Sequence, residues 1–275
     1  MGQVIFIVWR ESVEALLVVG ILNAWMNQSP NGRAGKRYLW GGVALGLLAA
    51  LVLAFGLFEA ASALGGTEDL FRTGMVLVAA ALIVHMVRWM RRHGRTLKQE
   101  LVAGLEEKAA SARWWGVTVL CAIAVAREGS ETVVFLFGML SGADAATLAR
   151  MGLASAAGFV LALGTFWLLQ LGGKYLSWRL FFRVTEVMLL LLAGGLLMNG
   201  VEQLISLNVL PALVDPVWDS SRWLDDSSLT GSVIASLTGY RSHPALTSLL
   251  AFGLFWGGVW RMIYGHTRQV RRDER

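Results

Sequence analysis

Residues 5–22, IFIVWRESVEALLVVGIL, are the stretch that decides the fold. They are apolar on both sides of a charged centre, RESVE at residues 10–14. A helix of roughly 20 apolar residues has the length needed to cross a bilayer core. The same pattern recurs at residues 121–138, CAIAVAREGSETVVFLFG, around REGSE at residues 127–131. The sequence therefore predicts two membrane helices that each carry an Arg-Glu-x-x-Glu motif.

The composition extends this prediction to the whole chain. Of 275 residues, 56% are hydrophobic and 16% are charged, whereas a soluble domain carries about 25% charged residues. Backbone polar groups have no water partner in hydrocarbon, so each apolar run should be helical. We predict an all-α integral membrane protein with seven transmembrane helices, at about residues 3–26, 38–60, 70–87, 114–139, 148–171, 180–204 and 245–264.

The basic residues predict the orientation of these helices. Lys and Arg are concentrated in alternate loops, which marks the cytoplasmic side. The N-terminus should therefore lie outside and the C-terminus in the cytoplasm, in a multi-pass protein of the cytoplasmic (inner) membrane. Because the basic residues flank apolar runs, the net charge of +5 predicts no nucleic-acid partner. The largest basic group follows the third span: Arg88, Arg91, Arg92, Arg95, Lys98, Lys108 and Arg113.

The two motifs also predict an internal repeat. The second motif helix should run antiparallel to the first, giving two inverted three-helix repeats plus a seventh helix, as in transporters that bind substrate at a repeat interface near the midplane. Gly42-x-x-x-Gly46 and Gly253-x-x-x-Gly257 should be faces of close helix approach, and residues 228–240 a short surface helix. The predicted segments are repeat one at about 1–95, repeat two at about 112–205, an external loop at 206–243, the last helix at 244–265 and a basic tail at 266–275.

The charged centres carry the predicted chemistry. An ionisable side chain at the bilayer centre costs about 2.5–3.5 kcal/mol if it faces lipid, so these groups should face each other or a wet path. Positions i, i+1 and i+4 fall on one side of a helix at about 100° per residue. The result is an oxygen-rich, anionic cage that suits a hard cation. Its members are the carboxylates of Glu11, Glu14, Glu128 and Glu131 and the guanidiniums of Arg10 and Arg127.

At these residues the sequence resembles the oxidase-dependent high-affinity iron permeases of fungi and bacteria. The resemblance rests on RESVE in the first span and REGSET in the fourth. It continues in the external segment with Trp218-Asp219, Asp225-Asp226-Ser227, Gly239-Tyr240-Arg241 and Pro244.

The resemblance implies seven membrane helices and a high-affinity permease for ferric iron. It assigns iron binding to Glu11, Glu14, Glu128 and Glu131, with Arg10 and Arg127 in support. Iron (Fe3+) would be the transported substrate, with no permanently bound cofactor. The expected partners are the iron ion, membrane lipid and a separate extracytoplasmic ferroxidase or iron-delivery protein.

Four further acidic residues are candidates for meeting the ion on its way in or out. Glu202, near the outer end of span six, is either an ion ligand or a hydrogen-bonded interface residue. Glu186 is either on the exit path or in a local ion pair with Arg183. Asp225 and Asp226 either gather cations at an outer mouth or are simply solvated.

Three alternatives to an iron permease remain open from the sequence. The chain could transport another cation, such as lead or a divalent metal. It could be a non-transporting membrane subunit of a metal-handling complex. A membrane enzyme with a dimetal centre is disfavoured because such bundles use Glu-x-x-His motifs, and none occurs in this sequence. We therefore predict a transporter and not an enzyme.

Overall fold

The structure, a computed structural model, describes residues 1–28, 32–93, 114–139, 145–170 and 178–273. Residues 94–113 and 171–177, which include several basic residues behind the predicted orientation, lie outside these ranges. The described part is helical and has no strand. Its elements are α1 (Gly2–Gln28), α2 (Gly32–Ala63), a 3-10 turn (Gly65–Thr67), α3 (Glu68–His93), α4 (Trp114–Met139), α5 (Ala145–Gln170), α6 (Trp178–Ser206), α7 (Leu229–Thr238) and α8 (Leu246–Asp273).

Each predicted span corresponds to one of the long helices. Helices α1 and α4 have 27 and 26 residues, enough length to cross a bilayer. Each of these two helices contains three ionisable residues at its motif, so neither is apolar enough to be recognised as a membrane span from composition. Five segments of the described chain are long and apolar enough to cross a membrane: Gly35–Ala63, Gly65–Arg91, Ala146–Gln170, Phe182–Ser206 and Leu246–Ile263.

The chain divides into two compact units that do not follow the two predicted repeats. The first unit comprises Met1–Gly66 and Arg92–Arg183, and so contains α1, α2, α4 and α5. The second unit comprises Thr67–Arg91 and Val184–Arg275, and so contains α3, most of α6, α7 and α8. Both motifs belong to the first unit.

Helix α1 runs antiparallel to α4. Leu22, near the end of α1, lies in a buried cluster with Val117, near the start of α4. Val8, near the start of α1, lies in a second cluster, against which Leu136 near the end of α4 packs. The predicted antiparallel arrangement of the motif helices is therefore confirmed, and the two motifs lie between these clusters.

Glycines bring α2 close to α4. A Cβ at Gly42 would lie 2.6 Å from the carbonyl oxygen of Thr118, and one at Gly46 would lie 2.7 Å from the Cβ of Val125. Only a residue without a side chain fits there, so the first predicted close-approach face is confirmed, within the chain itself. The second is wrong among the described residues, because a Cβ at Gly253 or Gly257 would meet no atom within 4 Å. The Thr118 hydroxyl donates to the carbonyl oxygen of Tyr38 at 3.0 Å. The order of these contacts makes α2 parallel to α4.

Helix α5 packs against α1 in the same manner. A Cβ at Gly158 would lie 2.7 Å from the carbonyl oxygen of Ile5. Further along both helices, Trp9 Nε1 donates to Thr165 Oγ1 at 2.9 Å. The two helices are therefore parallel. Each motif helix thus packs against one parallel, glycine-bearing helix and against the other motif helix.

In the second unit, α3 and α6 are antiparallel neighbours. Near the start of α3, the Thr73 hydroxyl lies 3.1 Å from the side-chain oxygen of Gln203, near the end of α6. At the opposite ends, Arg91 forms an ion pair with Glu186. The interface is therefore polar at both ends of α3.

A capped helix shapes the segment between α6 and α8, where the surface helix was predicted. Ser228 is the N-cap of α7, and its hydroxyl oxygen accepts the Gly231 N–H at 3.0 Å. Gly239 ends the helix with φ 77°, a left-handed conformation that favours glycine. Two residues later, Arg241 Nε donates to both carboxylate oxygens of Glu202, at 2.6 and 2.7 Å. This pair ties the loop to the end of α6.

Candidate metal site

The first motif is a buried, internally paired group on α1. Arg10 is 0% exposed and Glu11 is 1% exposed. The Arg10 guanidinium donates from Nη1 to Glu11 Oε1 at 2.7 Å, and its Nη2 forms an ion pair with Glu14 one turn later. One guanidinium thus faces two carboxylates, which lowers the cost of burying them.

The second motif is less enclosed. Arg127 Nε donates to Glu131 Oε1 at 3.2 Å, and the Arg127 side chain is 34% exposed. Glu128 is buried, with 8% of its surface exposed. Two hydroxyls satisfy backbone carbonyls here: Ser130 Oγ donates to the oxygen of Arg127, and Thr132 Oγ1 to that of Glu128. The two motifs therefore share their residue types but differ in how far the surrounding helices enclose them.

The motifs meet where α1 faces α4. Glu11, Glu128 and Glu131 each offer one carboxylate oxygen, and these three atoms lie within 4.8 Å of one another. In each of the three residues Oε2 is buried and has no hydrogen-bond partner among the described residues. We call this group the three-carboxylate seat.

The seat has the chemistry of a cation site. Three carboxylates crowded together in a buried place repel one another and lack hydrogen bonds for part of their oxygens, which is unfavourable unless positive charge joins them. The donors are carboxylate oxygens alone, the type that hard cations prefer. The two motifs together hold two more carboxylates than guanidiniums. A cation in the seat would therefore neutralise charge that the arginines leave unbalanced.

Glu14 is the motif glutamate outside the seat. Its carboxylate is paired with Arg10, and its side chain is 14% exposed. It remains in the electrostatic field of the second motif, because it interacts with Glu128, Glu131 and Arg127. The structure therefore brings three of the four predicted ligands together and leaves the fourth beside them.

Glu202 and Glu186 both have cationic partners. Arg241 holds Glu202, and the same guanidinium contacts the side-chain oxygen of Asn199. Glu186 pairs with Arg91 of α3, so the ion pair predicted with Arg183 of its own helix is wrong. The physical reason is the antiparallel packing, which puts the end of α3 beside the start of α6.

Asp225 and Asp226 shape the loop around α7. Asp225 accepts hydrogen bonds from the hydroxyl and backbone N–H of Ser227, which hold the pKa of this carboxyl below its ordinary value. Asp226 accepts the Ser242 hydroxyl at 2.7 Å. Both are thus used in local turns, and their role toward an ion stays a prediction.

Arg91 and Arg241 were not recognised as pairing residues from the sequence. Arg91 was one of many basic residues after the third span and was assigned to orientation. Arg241 is part of the Gly239-Tyr240-Arg241 resemblance. Neither pattern indicates that these arginines pair with Glu186 and Glu202.

A helical chain with several apolar spans and a buried carboxylate seat is a multi-pass membrane protein of the ion-transporter class. Comparison with known families makes this specific. The model of the iron permease FTR1 family matches residues 1–264. The chain belongs to this family, and it is a permease and not an enzyme.

Several curated relatives are similar along most of the chain. The protein named ferrous iron permease EfeU of Yersinia pestis is 26% identical over 257 residues, which are 90% of this chain and 88% of the relative. The protein of the same name from Escherichia coli O6:H1 is 28% identical, with 90% of both chains covered. No solved structure matches.

Proposed function

We propose that this protein carries iron across the cytoplasmic membrane, and that the ion passes through the three-carboxylate seat of Glu11, Glu128 and Glu131. Family membership supports iron as the substrate. The observation that carries the route is the convergence of three carboxylates, each of which also has a buried oxygen without a hydrogen-bond partner among the described residues. Glu14 lies beside the seat and pairs with Arg10, and Arg10 and Arg127 limit the repulsion among the carboxylates.

The proposal includes seven membrane crossings, with α1 and α4 as the two charged ones. Exchange of α1 with α4, α2 with α5 and α3 with α6 turns the α2–α4 contact into the α1–α5 contact, and it leaves the α1–α4 and α3–α6 pairs unchanged. Such exchange symmetry supports two inverted repeats. The distribution of Lys and Arg supports an N-terminus outside and a C-terminus in the cytoplasm.

The oxidation state of the moving ion is the finer part of the proposal. The relatives are named ferrous iron permeases, while a seat made of carboxylates alone is a hard-donor site that suits ferric iron. Both observations fit if iron arrives as the ferrous ion, a separate extracytoplasmic partner oxidises it, and ferric iron passes through the seat.

Uptake by proteoliposomes that contain the purified full chain tests this proposal. Radioactive iron is supplied either as ferrous iron with ascorbate or as ferric citrate, and empty liposomes are the control. We expect accumulation from ferric citrate and little from ferrous iron without an oxidant. Faster uptake of ferrous iron would overturn the ferric step.

Two other results of the same assay would contradict more of the proposal. Absence of flux with either form of iron, from protein that is folded and correctly inserted, would favour a non-transporting subunit. Lead that crosses faster than iron, in a parallel assay with radioactive lead, would favour the other metal.

A further inference from the structure

The two motifs are equivalent in sequence but not in their contacts. Each supplies an inner glutamate, Glu11 or Glu128, directly after its arginine, and an outer glutamate, Glu14 or Glu131, one turn later. Both inner glutamates belong to the three-carboxylate seat, and Glu131 is the single outer glutamate in it. The seat is thus asymmetric, although α1 and α4, which build it, occupy equivalent positions in the two proposed repeats.

Arginine contacts differ between the two motifs. Arg10 is fully buried, and its two terminal nitrogens face Glu11 and Glu14. Arg127 is 34% exposed and reaches Glu131 Oε1 through Nε, and Glu131 Oε2 is buried without a hydrogen-bond partner among the described residues. Each arginine therefore engages the outer glutamate of its own helix, but Arg10 divides its two terminal nitrogens between both glutamates of its motif, and only Glu131 of the outer pair lies in the three-carboxylate seat.

If each motif took the place of the other, the same geometry would give a second seat. It would consist of the same inner pair, Glu11 and Glu128, with Glu14 in place of Glu131. The two seats share two of their three ligands. An ion that moved from one seat to the other would exchange a single carboxylate and would never lose the inner pair, which avoids the large cost of an unliganded cation inside a membrane.

We infer that the permease moves its ion between these two overlapping seats, by exchange of Glu131 for Glu14, and that Arg10 controls the exchange by engaging Glu14 in the state seen here. This inference rests on the proposed function. It gives the outer glutamates different duties: Glu131 holds the ion in the present state, and Glu14 receives it during transport.

The matched variants Glu14→Gln and Glu131→Gln test the inference, because they make the same chemical change at equivalent positions. Two quantities are measured for each: the Kd for radioactive iron of the purified full chain in nanodiscs, and the initial rate of uptake in proteoliposomes. Thermal unfolding in the same nanodiscs checks that both variants fold.

The expected results separate binding from movement. Glu131→Gln should raise the Kd about tenfold or more, which corresponds to at least ~1.4 kcal/mol of binding free energy. Glu14→Gln should leave the Kd within about twofold of the wild type, yet lower the uptake rate at saturating iron at least as much as Glu131→Gln does.

The inference is overturned if the two variants raise the Kd equally, or if Glu14→Gln transports at the wild-type rate. A wild-type protein that neither binds nor transports iron would instead contradict the proposed function itself. If either variant unfolds, the Asp substitutions at the same two positions, which keep the charge and shorten the side chain, take their place with the same expected difference.

Discussion

Glu11 on α1 and Glu128 on α4 approach each other from antiparallel helices, and each presents a buried Oε2 without a hydrogen-bond partner among the described residues. They follow the two arginines directly, so they are equivalent residues of the two motifs. Carboxylates of like charge are stable in this arrangement when a cation or a proton joins them. The pair is therefore the fixed centre of the proposed iron route.

Removal of either central charge should stop transport. Glu11→Gln and Glu128→Gln keep the shape of the side chain and remove one anionic ligand. We expect each variant to lower iron uptake by cells more than about tenfold, the loss that corresponds to ~1.4 kcal/mol, while its amount in the membrane fraction stays normal. Glu59→Gln, at an exposed position on α2, is the control and should transport normally. Normal uptake by both seat variants would remove these residues from the route.

The two arginines should differ in their effect on stability. Arg10 is fully buried between two carboxylates, so Arg10→Gln leaves buried negative charge without its partner, which typically costs about 3–5 kcal/mol. Arg127 is one-third exposed, so its loss leaves less buried negative charge without a partner, and Arg127→Gln should destabilise the protein less than Arg10→Gln does. Denaturant unfolding of the purified variants in detergent measures both. Equal decreases in the free energy of unfolding would show that the difference in burial between Arg10 and Arg127 has no effect on stability.

Close approach of α2 to α4 should depend on single glycines. A Cβ at Gly46 would lie 2.9 Å from the carbonyl oxygen of Ala122, whereas one at Gly41 meets no described atom within 4 Å. Gly46→Ala should destabilise the protein by about 1–3 kcal/mol through overpacking. Gly41→Ala should be neutral or stabilise it by up to ~1 kcal/mol, because alanine is the better helix former. Melting temperatures in detergent compare the two; equal shifts would contradict the described packing.

The ion pair between Arg241 and Glu202 should hold the external loop in place. Arg241→Gln is expected to increase the rate of loop cleavage by proteinase K several-fold, because local opening is controlled by contacts of this kind. Glu202→Gln should have the same effect, and the double variant should be no worse than either single one. Arg222→Gln, an exposed arginine of the same loop, is the matched control. Additive effects of the two changes would show that the residues act independently.

Much of this architecture could be predicted because the bilayer imposes strong rules on sequence. Long apolar runs must be helical, so the seven long helices could be placed closely, and Ser228 and Gly239 marked the ends of α7 through ordinary capping chemistry. The motifs had to avoid lipid, which indicated that α1 and α4 would face each other.

Contacts between distant segments could not be predicted in the same way. The partner of Glu186 is Arg91, more than ninety residues away, and only the packing of α3 on α6 brings the two together. The separation of Glu14 from the three-carboxylate seat depends on which side-chain rotamers Arg10 stabilises. Helical spacing gives both motifs the same face and contains no information about that choice.

Iron anomalous diffraction from crystals of the full chain soaked with iron tests the central claim most directly. The account predicts one dominant iron peak among the carboxylates of Glu11, Glu128 and Glu131, and loss of that peak in Glu128→Gln. A dominant peak elsewhere in the protein, with none between these three carboxylates at saturating iron, would contradict it.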